Sequence, residues 1–125
     1  MFKWFKKSGS DATEAPEGPL REIDSDTDLD ALLNQETVMV FKHSTACPVS
    51  WAAHLQVMKF ADQHPDFPLR VVPVIQERPA SNKIAELTGI RHESPQVILL
   101  REGKVISAIS HGSITLAQLN QLIAN

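Results

Sequence analysis

The stretch from Thr37 to Ile75 constrains this chain most. It opens on an apolar run, Thr37-Val38-Met39-Val40-Phe41, with the β-branched and aromatic character of a strand. Pro48 then suits the first turn of a helix, where its missing N–H costs nothing, and that helix runs to about Gln63. His64-Pro65-Asp66 ends it, because proline disfavours helix in the residue before it. Leu69 to Ile75 is a second β-branched strand. A strand, a helix and a strand in this order demand two parallel strands joined by a right-handed crossover.

The flanking segments complete the pattern. Ser25 or Thr27 can cap a short helix through about Asn34, with Leu29, Leu32 and Leu33 as its apolar stripe. A further helix starts at Pro79 or Ala80 and runs to Thr88, with Ile84 and Leu87 inward and Gly89 as its stop. Gln96 to Leu100 and Val105 to Ser110 are strands joined by the tight turn Glu102-Gly103-Lys104, which makes them antiparallel. His111-Gly112 breaks the last strand. Thr115 and Gln118 form a capping box for a final helix carrying Leu116, Leu119, Leu122 and Ile123. A mixed four-stranded sheet with helices on both faces satisfies all of this. The strand over 37–41 is expected at its centre. The strand over 69–75 is expected at an edge, because Pro73 cannot donate to a ladder. In the helix over 48–63, Trp51, Ala52, Leu55, Met58 and Phe60 read as the core-facing side.

The only cysteine, Cys47, falls between the first strand and that helix. In an α/β sheet, ligands bind beyond the strand C-termini, where Cys47 sits. The free N–H groups and positive dipole end of a helix favour thiolate over thiol there. Cys47-Pro48-Val49-Ser50 has the spacing of a Cys-x-x-Cys redox motif with serine in place of the second cysteine. Ser50 cannot close an internal disulfide, so an oxidised Cys47 must be resolved from outside. The Ser50 hydroxyl can donate to the thiolate. The alternative is a small apolar filler, a common fate of a lone cysteine.

One cysteine in 125 residues excludes a disulfide framework and suits a reducing compartment. A formal charge of −3 gives no electrostatic case for nucleic acid. No apolar run approaches the roughly 20 residues needed to cross a bilayer. His43, His54, His64, His92 and His111 share no metal-ligand spacing. Met1-Phe2-Lys3-Trp4-Phe5-Lys6-Lys7 lacks the apolar stretch of a signal peptide. It reads as a solvated tail, or as a weak contact for an anionic membrane surface. With the acidic, Pro- and Gly-bearing linker that follows, residues 1–19 form a flexible tail, and the folded domain covers residues 20–125.

The order of elements, the cysteine at a strand-to-helix junction and the Ser94-Pro95 pair before a strand resemble the thioredoxin fold. Two stretches, Phe41-Lys42-His43-Ser44-Thr45-Ala46-Cys47-Pro48-Val49-Ser50 and Arg91-His92-Glu93-Ser94-Pro95-Gln96, resemble the YtxJ family of monothiol bacilliredoxins. The resemblance covers the chain from about Leu20 onward. It implies that Cys47 is the redox thiol and that the substrate is a protein cysteine capped by the small thiol bacillithiol. It also implies a cytoplasmic setting and a flavin-dependent reductase that regenerates bacillithiol from its disulfide. A cis bond between Ser94 and Pro95, facing Cys47, is implied as well, leaving the Ser94 backbone open to a substrate strand.

Position near Cys47 and Pro95 suggests supporting roles, each set against the plain reading of a solvated polar residue. Thr45, Pro48 and His43 would support the thiolate, and His43, His92 or His111 could do so as cations. Bacillithiol carries a malate group, so Lys42, Arg91 and His92 could meet its carboxylates. His54 and His64 read as surface residues, and Trp51 as core. Two other readings compete. One is an iron–sulfur carrier like the monothiol glutaredoxins, from whose Cys-Gly-Phe-Ser motif Pro48 and Val49 depart. The other is a non-catalytic interaction module with a buried, inert Cys47. A one-cysteine peroxidase would want proline where Val40 stands, and an arsenate reductase an arginine where Ser50 and Trp51 stand.

Overall fold

A computed structural model of the chain describes residues 20–124. The tail and linker expected over 1–19, with their membrane contact, lie outside the described residues. The spine is strand β2 (Thr37–His43), whose residues from Val38 to His43 are all buried. Before it come β1 (Arg21–Glu22) and α1 (Leu29–Leu33). After it come α2 (Pro48–Gln63), β3 (Leu69–Pro73), α3 (Arg78–Thr88), β4 (Gln96–Arg101) and β5 (Lys104–Ser110). A 3-10 turn over His111–Ser113 leads into α4 (Leu116–Ala124).

The sheet has five strands in the order β1-β3-β2-β4-β5, one more than expected. The extra strand is β1, two residues that run parallel to β3 and pair Arg21 with Arg70 and Glu22 with Val71. Being so short and polar, β1 carries no apolar alternation to reveal it. It displaces β3 from the edge. Pro73 is still tolerated, because it lies past the last β1 pair, at the end where β3 pairs only with His43 of β2. The pairing of β2 with β3 is parallel, and those of β2 with β4 and β4 with β5 are antiparallel, as the sequence requires.

Alternation along β2 divides the core in two. Met39 and Phe41 face one side, with Ala53, Val57, Phe60 and Ala61 of α2 and Leu119 of α4, and Leu20 packs against this cluster. Val38 and Val40 face the other side, with Leu32 and Leu33 of α1 and Ile84 of α3.

Three local expectations shift. The cap of α1 is Asp28, whose carboxylate accepts the Ala31 N–H at 3.0 Å; Thr27 instead closes a turn with Asp24. Leu87 of α3 is exposed, and Ile84 and Ser81 face the sheet. The buried stripe of α2 is Ser50, Ala53, Val57, Phe60 and Ala61, while Trp51, Leu55 and Met58 are exposed. This helix is apolar on two sides, so periodicity alone could not choose between them. The sheet takes the side with small residues at its start, which lets α2 approach the end of β2 closely.

The β4–β5 turn holds Glu102 at φ 51° and Gly103 at φ 81°, the left-handed pair that a two-residue hairpin needs. A Cβ at Gly103 would collide with the Asn34 side chain. Gly103→Ala is therefore expected to lower stability by about 1–2 kcal/mol. A thermal melt should show the midpoint falling by several degrees with the folded spectrum unchanged.

Candidate active site

The polypeptide leaves β2 at His43 and turns through Ser44-Thr45-Ala46 before Pro48 starts α2. Cys47 occupies the N-cap position of α2 with extended backbone, φ −121° and ψ 122°, and Pro48 sits in the first turn. The Cys47 side chain makes no capping hydrogen bond, and the residue is partly exposed. A thiol in this place meets both solvent and the N-terminal amides of a sixteen-residue helix.

The loop is held by its own short bonds. The Cys47 N–H donates to Ser44 O at 3.3 Å, and the Ala46 N–H to Ser44 Oγ at 3.3 Å. The Ser44 N–H donates to Ser50 Oγ at 2.9 Å. The Trp51 indole N–H donates to Thr45 O at 2.9 Å. Trp51 is 46% exposed, which corrects its expected place in the core. It leans on His43 and His54, with ring centroids 4.7 and 5.1 Å away, and its indole N–H clamps the loop before Cys47. Thr45 thus takes part through its carbonyl. Pro48 takes part through the helix start.

Ser50 is fully buried. Its hydroxyl oxygen lies 2.7 Å from His43 Nδ1 and also accepts the Ser44 N–H. The direct bond to the thiolate expected from the sequence is replaced by this anchor between α2 and the end of β2. His43 likewise departs from its expected role as a cation. It is 3% exposed, stacks on Phe41 at 5.4 Å, and keeps Nε2 buried without a hydrogen-bond partner. Burial, and then neighbouring His54, hold its pKa down to about 4, although the Ser50 bond works the other way. The ring is neutral at pH 7 and positions Ser50. His54, expected at the surface, belongs to this ring cluster at 4.8 Å from His43, and burial lowers its pKa too. His64, also expected at the surface, is half-buried, with Nε2 2.7 Å from Asn120 Oδ1 of α4.

The Ser94–Pro95 peptide bond is cis. It precedes β4, whose first residue, Gln96, pairs with Lys42 of β2, so the Pro95 turn and the Cys47 loop share one end of adjacent strands. His111, exposed beyond β5, donates its N–H to Pro95 O at 3.0 Å, which brings that loop to the site as expected. Pro95 is buried, and Ser94 is half-buried with a hydroxyl that has no partner.

Lys42 is the largest correction. It is fully buried, so it cannot meet a ligand carboxylate at the surface. It faces α3, where Nζ donates to Ser81 O at 3.1 Å and lies 3.1 Å from His92 Nδ1. Burial pushes its pKa from 10.5 to about 8. His92 is exposed apart from this contact, and its pKa is lowered by desolvation, then by Lys42 and Arg78. It is therefore an acceptor for Lys42 and not a cation. Arg91 alone of the three expected anion-binding residues presents an exposed side chain not bound up in this contact, and its carbonyl accepts Gln96 Nε2 at 3.0 Å. Ser44, Ser81, Trp51 and Gln96 were missed as site-builders. Strict alternation with Val38 and Val40 was the available signal that Lys42 points inward. Among the described residues, no group of three or more His, Cys, Asp and Glu is placed to hold a metal ion.

A parallel-to-mixed sheet with helices on both faces, one thiol at a helix N-cap and a cis-proline turn on the adjacent strand define a thioredoxin-fold protein of the oxidoreductase type with a single site cysteine. The chain belongs to the family of the monothiol bacilliredoxin BrxC, whose model matches residues 20–119. A provisionally assigned oxidoreductase with a thioredoxin fold is 31% identical, at a TM-score of 0.76 over 83% of this chain and 93% of that one. Thioredoxin from Fasciola hepatica superposes with a TM-score of 0.66 at 20% identity, over 83% of this chain and 96% of its own. Thioredoxin from Trypanosoma brucei brucei does so with 0.69 at 13% identity, over 90% and 95%. The two thioredoxins establish the shared fold.

His43 titration gives a direct check. Between pH 6.5 and 4 the unfolded chain binds a proton at His43 that the folded chain excludes, so stability rises with pH and is lost as pH falls through that window. Urea denaturation should show roughly 2–3 kcal/mol less stability at pH 4.5 than at pH 7 from this residue. The slope should be smaller in His43→Gln.

Proposed function

We propose that this protein removes bacillithiol from S-bacillithiolated proteins by thiol–disulfide exchange at Cys47. The observation that carries the proposal is the site's arithmetic: a partly exposed thiol at the N-cap of α2, with a buried serine where a resolving cysteine would stand. Family membership supplies the small thiol.

The chemistry proceeds in two exchanges. The Cys47 thiolate attacks the bacillithiol sulfur of the mixed disulfide, and the client cysteine leaves as thiolate. Cys47 now holds bacillithiol. A second bacillithiol thiolate attacks that bacillithiol sulfur, releases Cys47 as thiolate and departs as bacillithiol disulfide. The capped client and one free bacillithiol thiol thus become a free client thiol and bacillithiol disulfide, so one disulfide is broken for each one formed. A flavin-dependent reductase returns that disulfide to thiol, and the setting is the cytoplasm. No helix among the described residues is long and apolar enough to cross a membrane.

The residues divide the work. Cys47 is the nucleophile. Ser50 and His43 fix the first turn of α2, and Ser44 and Trp51 fix the loop before the thiol. The Ser94–Pro95 backbone offers a docking edge for the client chain. Exposed Val49 and Trp51 in the first turn of α2, with Ile75 past the end of β3, form an apolar rim at the same pole. Arg91 is the exposed cation for the malate carboxylates.

The test is a debacillithiolation assay on a client protein capped at one cysteine, with Cys47→Ser as control. Release of the cap by the wild type, with at least a hundredfold loss in the variant, is the expected result. Equal activity in both proteins, or none in the wild type, would defeat the proposal. Ser50→Ala should slow the reaction several-fold through a looser first turn and lower stability by about 1–2 kcal/mol. Kinetics and urea unfolding measure the two effects.

A further inference from the structure

The buried end of the sheet on the α3 face is polar where an apolar core would be simpler. Lys42 and Gln96 stand directly opposite each other on β2 and β4, continuing the rows Val38, Val40 and Leu100, Ile98. Both are buried. Burying an ammonium and a carboxamide costs stability unless each finds partners. Their partners come from the same short segment, although Gln96 Oε1 stays buried without one. Lys42 Nζ reaches His92 Nδ1 at 3.1 Å, and Gln96 Nε2 donates to Arg91 O at 3.0 Å. Ser81 adds two contacts from α3, its carbonyl to Lys42 Nζ at 3.1 Å and its hydroxyl to His92 Nδ1 at 3.3 Å. The convergence of Nζ and Oγ on Nδ1 fixes that nitrogen as an acceptor and sets the ring's orientation.

We propose that Lys42, with Gln96 opposite it, is a positioning residue that holds the Arg91–Pro95 turn from inside the sheet, so that the Ser94 backbone is presented to the client chain. The inference rests on the function proposed above and assigns part of its substrate recognition. The turn has few other anchors. Beyond it β4 enters the ladder, and before it lies the Gly89 stop of α3. Residue 92 is tied to the sheet only through its ring, and residue 91 through its carbonyl. The two ties flank the side of the turn that faces α3. The opposite side is left to His111 N–H on Pro95 O.

Lys42 touches neither Cys47 nor the exposed rim, so its loss should act on client binding and not on thiol chemistry. Lys42→Met keeps the stem and removes the charge, a change that buried sites tolerate. On a bacillithiol-capped carrier protein, Lys42→Met and His92→Ala should each raise KM about tenfold while kcat changes less than twofold. His92→Asn, which returns an acceptor at the Nδ1 position, should recover most of that loss. The reaction of Cys47 with 5,5′-dithiobis(2-nitrobenzoate), which needs no docking edge, reports the thiol itself. A KM unchanged in both variants overturns the proposal, as does an equal loss in both reactions. If the wild type reacts with the small disulfide but leaves the capped protein intact, the proposed function fails. The positioning role is then read from amide hydrogen exchange at Glu93 and Ser94. Faster exchange in Lys42→Met upholds it and unchanged exchange ends it.

Discussion

Two neighbouring residues at the end of β2 carry the site. Lys42 and His43 are buried polar side chains that alternation sends to opposite faces of the sheet. His43 binds Ser50 and so fixes α2, which bears Cys47. Lys42 binds His92 and Ser81 and so fixes the turn that bears Pro95. A single central strand thus ties the helix that starts at Cys47 to the turn that carries the cis Ser94–Pro95 bond. Neither side chain is exposed for a ligand. Lys42 Nζ is met by hydrogen bonds, and His43 by one at Nδ1 while its Nε2 stays buried without a partner.

Much of the fold was legible because its signals were strong and local. The runs over 37–41 and 69–75, Pro48 at a helix start, Gly89 at a helix stop and the Glu102-Gly103 turn each have one cheap backbone solution. What escaped had weak or divided signals. Arg21–Glu22 is too short to alternate. Helix α2 is apolar on two sides, one through Trp51 and one through Ala53, and the side that is buried is that of Ser50, Ala53 and Val57. The thiol and the cis Ser94–Pro95 pair stood out by motif. The roles of Lys42, His43 and His92 did not, because charge suggested ligand contact where parity along a strand was the better guide.

Ser50 has a meaning beyond the absence of a second thiol. Its oxygen accepts the Ser44 N–H at 2.9 Å and lies 2.7 Å from His43 Nδ1, inside a fully buried pocket of the packing. Sulfur is larger, a poor acceptor and a weak donor. A cysteine at this position would complete a dithiol motif on paper while slackening the tie between the helix and its strand. The one-thiol state is thus held by packing as well as by composition. A second thiol there would leave His43 Nδ1 and the Ser44 backbone N–H without the oxygen that now joins them.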